Sequence, residues 1–480
     1  MFSNLLRKNL SLIGFVILTA FVRFDGLGYS DFYGDETKVL YVDKTVSATK
    51  FFLDQRKGPV QFFVAWVVEK LSGGFSEYWI RFPFALASVA SVVIFYFLIK
   101  KLFNDNIAKL ATILFSLSGF SVAFGRTAQY QSFLMLLGFL GILSLTEWLE
   151  KKKAVYLLGS ALSFSLAFLC HYDAIFYFLP AVFLLNFRII KSQFKTFMLC
   201  FILPIITATG SFYLPYCLTG FFKTNTLGYI SRRLVGSVDF LQNNSLYTFS
   251  VYNPFKLFGM FVVLFSVYYI LSRIARKERL QRTELALLIW FLIPFVLLEL
   301  VFKSPGTHIL NYLTPLYVLS SLGLFQLISD VSTKKRIFGN FLKALTVGVI
   351  MFQAIYVLQT YVPRFSKGYP WESTGISKKY QLFLYGFPYN RQWSEIARVL
   401  YSQKGIRGFY TNDNAVVAKY YVNKLNFTEP GANFLPEYFV YVKYSQELMI
   451  PTPDFLAHYT QVEQITSDRS VAATIFKLVL

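Results

Sequence analysis

Long apolar runs, each close to 20 residues, follow one another along the first 361 positions of the chain. A run of about 20 apolar residues is long enough to cross a bilayer as a helix. We predict eleven membrane spans, at about 10–24, 78–99, 107–123, 131–149, 154–170, 172–187, 196–218, 255–272, 284–302, 309–328 and 338–361. The first run could also be a cleaved signal peptide, but Arg23 and Asp25 follow it in place of small residues, so we interpret it as a span.

Basic clusters between the spans indicate the orientation. With Arg7 and Lys8 in the cytoplasm and each span changing side, the strongest clusters all fall inside, as the positive-inside rule requires. These clusters are Lys100–Lys101, Lys151–Lys153, Arg188 with Lys191 and Lys195, Arg273–Arg282, and Lys334–Arg336. An eleven-span chain then has a cytoplasmic N-terminus and an extracytoplasmic C-terminus, and it is located in the cell membrane.

Three larger segments fall on the external side, namely residues 25–77, residues 219–254 and the tail after about 362. The first segment contains an amphipathic stretch at 37–50 and an apolar one at 59–71, which we interpret as interfacial helices. From Trp371 the tail loses the long apolar runs. It shows helical periodicity at Trp393–Gln403 and strand-like runs at Gly408–Tyr410, Tyr438–Val442 and Ala473–Leu480. We therefore predict a membrane domain, 1–361, and a small external α/β domain, 362–480.

The composition agrees with a membrane protein, since 55% of the residues are hydrophobic and only 15% are charged. The net charge of +21 then reflects cytoplasmic loops and anionic lipid, and it does not indicate nucleic acid. Three cysteines and three histidines, without metal-type spacing, do not support a disulfide framework or a His-based metal site. No cofactor is indicated with certainty, and a divalent metal remains possible.

Candidate chemistry begins in the first external segment, which is rich in glycine and acidic residues around Asp35 and Glu36. Asp35 could cap a helix that begins near Glu36. It could also serve as a general base, since a carboxylate at the membrane surface can take a proton from an attacking hydroxyl. The two interpretations are compatible.

Several motifs in order resemble the GT-C superfamily of polyprenyl-phosphate-dependent glycosyltransferases, which includes protein O-mannosyltransferases and aminoarabinose transferases of lipid A. The motifs are Asp35-Glu36, Lys57-Gly58-Pro59-Val60-Gln61, Ser76-Glu77 with Arg81-Phe82-Pro83, Gly125-Arg126, and His308 through Tyr312 with Pro315. The resemblance implies a GT-C fold with an external C-terminal domain, sugar transfer from a lipid phosphate, and Asp35 as the base. Relatives commonly carry a second acid, sometimes a metal ligand, where this chain has Gln131, so the resemblance leaves metal dependence in doubt.

Cations on the external side are candidates for stabilising a departing phosphate. They are Arg56, Lys57, Arg126, Arg232, Arg233, Lys303 and His308, of which Arg56, Lys57, Arg126 and His308 are our donor-phosphate candidates. For the paired basic residues the alternative is a solvated loop or a lipid headgroup contact. For Arg126, in an otherwise apolar turn, we expect a phosphate or a structural carboxylate partner, and the alternative is bare solvent.

Aromatic and histidine side chains in the external turns are candidates for substrate binding. Tyr29 and Tyr33 flank the acidic pair, His171 precedes a tight turn, and Tyr312 follows His308. The alternative for His171 is an ordinary interfacial turn, and His308 could simply cap a span.

The sequence thus predicts an inverting membrane glycosyltransferase of a cell envelope. Its partners would be a polyprenyl-phosphate sugar donor, a glycan, lipid or protein acceptor and membrane lipid. The alternative is a polytopic transporter or lipid flippase, but charged residues near the middle of spans, which transport favours, are scarce. A membrane scaffold would leave the external clustering of Asp, Glu, Arg and His without a reason.

Overall fold

A computed structural model describes residues 2–42, 45–236, 243–332, 336–366, 385–388, 390–403, 405–431, 434–445, 451–467 and 470–479, with the backbone alone for 2–12 and 332. The side chains of Arg7 and Lys8, the residues Lys334 and Lys335, and the predicted start of the tail domain at Trp371 lie outside this description.

Helices make up nearly all of the first 365 residues. Phe2–Phe24 is followed by the short helices Gly34–Thr37, Ala48–Leu53 and Val60–Ser72, and then by Glu77–Leu102, Asp105–Ser116, Gly119–Phe124, Gln131–Lys151, Ala154–Cys170, Tyr172–Ala174, Ile175–Leu184, Phe187–Ser192, Phe194–Phe197, Met198–Ile202, Leu203–Cys217, Phe222–Leu227, Gly228–Val235, Ser245–Tyr252, Lys256–Ala275, Arg282–Val296, Leu297–Val301, Gly306–Ile309, Leu310–Ser332, Arg336–Tyr361 and Pro363–Phe365.

Among the described residues, seven of these helical segments are long and apolar enough to cross a membrane. They are Glu77–Leu102, Gln131–Lys151, Phe194–Cys217, Lys256–Ala275, Arg282–Val301, Gly306–Val331 and Arg336–Tyr361. Shorter apolar helices occupy Ile13–Phe24, Ala154–Cys170 and Tyr172–Leu184. The polytopic helical fold is confirmed, and the count of eleven spans stays a prediction.

The predicted span at 107–123 is broken into two helices, which end at Ser116 and begin again at Gly119. The break is buried, so its freed backbone groups need partners inside the protein. Gln353 Nε2 donates to the Leu117 carbonyl at 2.8 Å, and the N–H of Gly119 donates to Asn253 Oδ1 at 2.8 Å. A Cβ at position 119 would lie 1.6 Å from the Tyr252 carbonyl oxygen, which explains why glycine restarts the helix.

The first external segment differs from the expectation in detail. The apolar stretch at 59–71 is a helix, Val60–Ser72, as predicted. The stretch at 37–50 is not one helix, because one short helix ends at Thr37 and the next begins after Ser47, whose hydroxyl accepts from the Lys50 N–H.

A five-stranded sheet forms the C-terminal part, with strands β1 Gly408–Thr411, β2 Asn426–Phe427, β3 Tyr438–Val442, β4 Tyr459–Ser467 and β5 Ser470–Leu478. The order is β2-β1-β3-β5-β4, with β1 parallel to β2 and β3, and β5 antiparallel to β3 and β4. Helices Trp393–Ser402, Ala415–Tyr421 and Pro453–Leu456 accompany it. The small α/β unit is confirmed. The sequence pattern does not predict β2 and β4. β2 has only two residues, and β4 is an edge strand with mostly exposed polar residues.

Buried polar contacts join this sheet unit to the first external segment. The backbone N–H of Arg391 donates to Asp31 Oδ2 at 2.6 Å, and its guanidinium donates to the Phe32 carbonyl at 2.8 Å and to Asp413 Oδ2 at 2.9 Å. The hydroxyl of Tyr421 accepts from the Phe32 N–H at 2.8 Å. Residues 31–37 are thus held between the membrane helices and the sheet unit.

Candidate active site

One polar cavity of about 580 Å³ lies where residues 25–77 meet turns at one end of the later helices. Its described lining is Asp35, Lys38, Val39, Asp54, Gln55, Arg56, Lys57, Gln61, Phe62, Gln129, Tyr130, Gln131, Asn225, Tyr229, Arg232, Arg233, Ser304, Thr307, His308 and Tyr385. Cations outnumber carboxylates in this lining, since Asp35 and Asp54 face Lys38, Arg56, Lys57, Arg232 and Arg233. The cavity therefore suits an anionic group that also carries polar substituents.

Asp35 presents a carboxylate to this cavity from the short helix Gly34–Thr37. Its side chain is 33% exposed, and it accepts from Lys38 Nζ at 2.7 Å and from the Tyr385 hydroxyl at 3.1 Å. Burial raises the pKa of the Asp35 carboxyl, but the charges of Lys57 and Lys38 and these two hydrogen bonds outweigh burial and hold it below its ordinary value. Asp35 is therefore ionised at neutral pH.

Glu36 faces the other way and is fully buried. Arg81 donates hydrogen bonds to both of its oxygens, from Nε and from Nη2, each at 2.8 Å. The N–H groups of Ala128 and Tyr33 also donate to these oxygens at 2.8 Å. Glu36 thereby caps its own helix at Tyr33, the capping that the sequence suggested for Asp35. With both oxygens engaged, Glu36 orients the helix that carries Asp35 and does not reach the cavity.

The basic residues of the cavity are fixed by protein contacts of their own. Arg56 donates to the Asn225 carbonyl at 3.2 Å, and its guanidinium carbon lies 3.9 Å from the centre of the Tyr229 ring. Lys57 lies 5.0 Å from the centre of the Tyr130 ring. Arg233 donates through Nη1 to the Ser304 carbonyl at 2.6 Å. These cations are therefore held in place before any ligand binds.

His308 also lines the cavity and contacts Asp173 and Tyr229. Its Nδ1 is 2.7 Å from Asp173 Oδ2, and its Nε2 is 3.0 Å from the Tyr229 hydroxyl. Asn311 also donates to Asp173 Oδ2, at 2.9 Å. His171 completes a group whose possible ligand atoms lie within 4.8 Å of one another. Asp173 engages Nδ1 of His308 at 2.7 Å and Nδ1 of His171 at 3.1 Å, whereas His171 Nε2 has no hydrogen-bond partner among the described residues.

The remaining predicted site residues lie outside the cavity. Arg126 is buried and donates to the carbonyls of Val22, Arg23 and Gly26 at 2.7, 3.4 and 3.2 Å. The guanidinium thus binds carbonyls at the C-terminal end of the first helix, which have no donor within that helix. The phosphate or carboxylate partner that the sequence suggested for Arg126 is therefore replaced by backbone carbonyls.

The predicted substrate-binding aromatics also lie behind the cavity wall. His171 is fully buried, with its ring stacked 3.8 Å from that of Tyr130. The Tyr312 hydroxyl donates to Glu299 at 2.8 Å, and the Tyr33 ring lies 4.4 Å from that of Tyr385. Tyr29, half-buried, is absent from the described lining.

Three lining tyrosines were not singled out from the sequence, namely Tyr130, Tyr229 and Tyr385. Tyr130 follows Arg126 by four positions and Tyr229 precedes the basic pair Arg232-Arg233, so proximity to those motifs was the available signal. Tyr385 lies in the tail without a motif, and only the fold brings it to Asp35.

Comparison with known proteins identifies the fold. The crystal structure of ArnT from Cupriavidus metallidurans bound to undecaprenyl phosphate matches with a TM-score of 0.58 at 12% identity, over 97% of this chain and 98% of that one. The apo state of that ArnT gives a TM-score of 0.55 at 13% identity, over 97% of each chain. The arabinofuranosyltransferase AftD from Mycobacteria matches with a TM-score of 0.52 at 12% identity, over 98% of this chain and 39% of AftD.

The chain therefore has the fold of the GT-C membrane glycosyltransferases, as the sequence motifs predicted. Within it, residues 56–212 match the family model described as dolichyl-phosphate-mannose-protein mannosyltransferase, which covers less than half of the chain. No curated protein sequence is significantly similar to the chain.

Proposed function

We propose that this protein is an inverting glycosyltransferase that moves a sugar from a polyprenyl-phosphate donor to an acceptor hydroxyl at the external membrane face. The observation that carries the proposal is an ionised carboxylate, Asp35, inside a cavity whose other charges are mostly positive. Such a cavity combines a base with a binding place for a phosphate. The GT-C fold and the partial match to a mannosyltransferase family support the same class of reaction.

Asp35 would act as the general base. It takes the proton from the acceptor hydroxyl while the acceptor oxygen attacks the anomeric carbon from the side opposite the phosphate. With one displacement and no enzyme nucleophile, the configuration at that carbon inverts. Glu36 holds the helix of Asp35 through its bidentate pair with Arg81 and takes no proton.

Arg56, Lys57 and His308, together with Arg232 and Arg233, would receive the donor phosphate. Guanidinium and ammonium groups held in place before the reaction stabilise the charge that develops on the leaving phosphate. ArnT, which shares the fold, is seen bound to undecaprenyl phosphate, and this supports a lipid-phosphate donor here.

Gln129 and Gln131 would bind the sugar. Among the described residues, Gln129 Nε2 and Gln131 Oε1 are buried in the cavity wall without a hydrogen-bond partner. Buried polar groups in folded proteins are normally paired, so these amides suit the hydroxyls of a sugar. A glutamine at 131 and the excess of cations do not fit a divalent metal held by carboxylates, and the proposed reaction uses none.

The proposal places the N-terminus in the cytoplasm, and the cavity and residues 362–480 outside. The basic clusters at the opposite ends of the helices support this orientation. The acceptor would be a glycan, lipid or protein of the cell envelope that reaches the cavity from this side.

Sugar transfer by the purified protein tests the proposal. The protein is given a panel of radiolabelled polyprenyl-phosphate sugars with total membrane lipid, glycan and protein as acceptors, and the native chain is compared with Asp35→Asn. We expect Asp35→Asn to lower the rate by about a hundredfold or more, as the loss of a general base does. Asp454→Asn, at an exposed acid of the C-terminal unit, is the matched control. If no donor is consumed while the protein moves lipid or solute across liposomes, the transporter interpretation replaces this one.

A further inference from the structure

A buried hydrogen-bonded chain of three side chains ends at the cavity that Asp35 also lines. Asp173 Oδ2 contacts His308 Nδ1 at 2.7 Å, and His308 Nε2 contacts the Tyr229 hydroxyl at 3.0 Å. A carboxylate can only accept, so the proton of this first contact lies on His308 Nδ1. Asn311 donates to the same carboxylate oxygen at 2.9 Å and fixes its position.

The Tyr229 hydroxyl lies among positive groups. Arg233 Nε donates to it at 3.0 Å, and the Arg56 guanidinium covers the ring at 3.9 Å. When His308 carries both ring protons, the phenol oxygen accepts from His308 and Arg233, and its own proton is directed to a third acceptor. The Tyr172 hydroxyl, which interacts with Tyr229, is one such acceptor within the protein. Tyr229 lines the cavity, so a ligand phosphate can be another.

The charges around Tyr229 also change its acidity. Burial raises the pKa of this phenol, but the charges of His308, Arg233 and Lys57 outweigh burial and lower it to about 7. Other titratable or charged groups also face the chain from the packed elements, namely Asp173, His171, Tyr130, Tyr172 and Arg56.

The departing lipid phosphate can accept a proton from a phenol of this acidity. When the bond between the anomeric carbon and the phosphate oxygen breaks, its electron pair stays on that oxygen, and a phosphodiester with one charge becomes a monoester with two. The second pKa of a phosphate monoester is about 6. A donor whose acidity is close to that of the developing group shares its proton most effectively.

We propose that Tyr229, backed by His308 and Asp173, donates its proton to the phosphate oxygen that leaves the sugar. In the same step the acceptor oxygen bonds to the anomeric carbon and its proton passes to Asp35. Tyr229 then recovers a proton from His308, and His308 recovers one from water. Asp173 and His308 are positioning residues for this donor. The inference rests on the proposed function, and it adds a second proton-transfer group to that site.

Binding of undecaprenyl phosphate to the purified full-length protein tests the donor without knowledge of the sugar. Affinity is measured from pH 6 to pH 9 for the native chain, Tyr229→Phe and His308→Asn. Tyr268→Phe removes a hydroxyl that bonds to Asp330, and His458→Asn removes an exposed imidazole, so these two are the matched controls. Melting curves confirm that each variant is folded.

We expect Tyr229→Phe to bind the monoester about tenfold or more weakly near pH 7, the effect of one hydrogen bond to a charged group. Native affinity should fall as Tyr229 loses its proton above pH 7, whereas the affinity of Tyr229→Phe should change little over that range. His308→Asn should weaken binding and move the pH at which affinity falls. The methyl diester of undecaprenyl phosphate, which cannot take the second charge, should show a much smaller effect of Tyr229→Phe.

Two outcomes separate this inference from the function on which it rests. If the native protein binds neither phosphate at any pH, the lipid-phosphate site itself is contradicted. If the native protein binds the monoester and Tyr229→Phe binds it equally well with the same pH dependence, only the proton donor is contradicted. An equal loss for monoester and diester would reduce Tyr229 to an ordinary contact and would also overturn the inference.

Discussion

Tyr385 donates a hydrogen bond of 3.1 Å to Oδ2 of Asp35, although 350 positions separate the two residues. Tyr385 lies beyond the last long apolar helix, Arg336–Tyr361, and its ring lies against that of Tyr33 at 4.4 Å. The tail of the chain therefore contributes directly to the cavity that holds the proposed base.

Tyr385→Phe should shift the pH dependence of transfer. The lost hydrogen bond stabilises the ionised carboxylate, so its removal raises the pKa of Asp35 from its lowered value. A base works only when ionised, and the acid side of the kcat profile should therefore move to higher pH, with a rate loss of roughly three- to tenfold. The measurement is kcat from pH 4 to pH 8. Tyr156→Phe, whose hydroxyl accepts from Lys151, is the control, and an unmoved acid limb in Tyr385→Phe would contradict the assignment.

Gly386→Ala should displace Tyr385 from Asp35. Gly386 has a φ of +74°, and a Cβ there would lie 2.1 Å from the Ala123 carbonyl oxygen. Gly73 has a φ of +73° with open space around it, so Gly73→Ala carries only the backbone strain of about 1 kcal/mol. Comparison of the transfer rates of the two variants at the same pH distinguishes the effect of the close approach to Ala123 from the effect of backbone strain alone. Equal rates would show that the close approach at Ala123 does not position Tyr385.

Arg81→Met should destabilise the protein more than any exposed substitution. It leaves the buried carboxylate of Glu36 without its cation, and losing one partner of a buried pair costs about 3–5 kcal/mol. Thermal unfolding of the purified protein measures the loss. Arg398→Met, which breaks an exposed pair with Glu395, should leave the melting temperature unchanged. A small decrease in melting temperature for Arg81→Met would mean that water reaches the Glu36 carboxylate in solution.

Arg391→Met should loosen the C-terminal unit from the first external segment. The guanidinium donates to the Phe32 carbonyl and is itself held by Asp413 of the same C-terminal unit, so its loss removes one buried hydrogen bond between the two parts. We expect faster limited proteolysis between the last membrane helix and the sheet, and lower transfer. Arg407→Met, at an exposed position of the same unit, is the control. Unchanged proteolysis would assign the attachment to other contacts, such as Tyr421 with Phe32.

The fold could be predicted from the sequence largely because its signals are local. Apolar runs near 20 residues and alternating basic clusters indicate a polytopic chain without any knowledge of contacts. The break at Ser116–Gly119 could not be predicted in this way, because the partners that satisfy it, Gln353 and Asn253, come from distant helices. Strand β4 was missed because polar residues on an edge strand resemble those of a loop.

In the candidate site, too, residues with a local sequence signal could be predicted, and residues whose role depends on distant partners could not. Asp35, Lys57 and His308 line the cavity, and each belongs to a motif that can be recognised in the sequence. Arg56, which also lines it, directly precedes one of these motifs. Asp35 and Glu36 are adjacent, yet only the fold distinguishes them, since Arg81 lies 45 positions away from the carboxylate it binds. Arg126 likewise has carbonyl partners, which carry no side-chain signal.

The contribution of Tyr385 and Arg391 to the site has a consequence for synthesis of the protein. Both residues follow all the long apolar helices that the structure describes, so they leave the ribosome after those helices have been made. Until then, the helix that carries Asp35 lacks its contacts with the sheet unit, and the carboxylate lacks its tyrosine donor. The membrane helices can therefore be made before the tail that completes the lining of the cavity, so the candidate site is finished only late in translation.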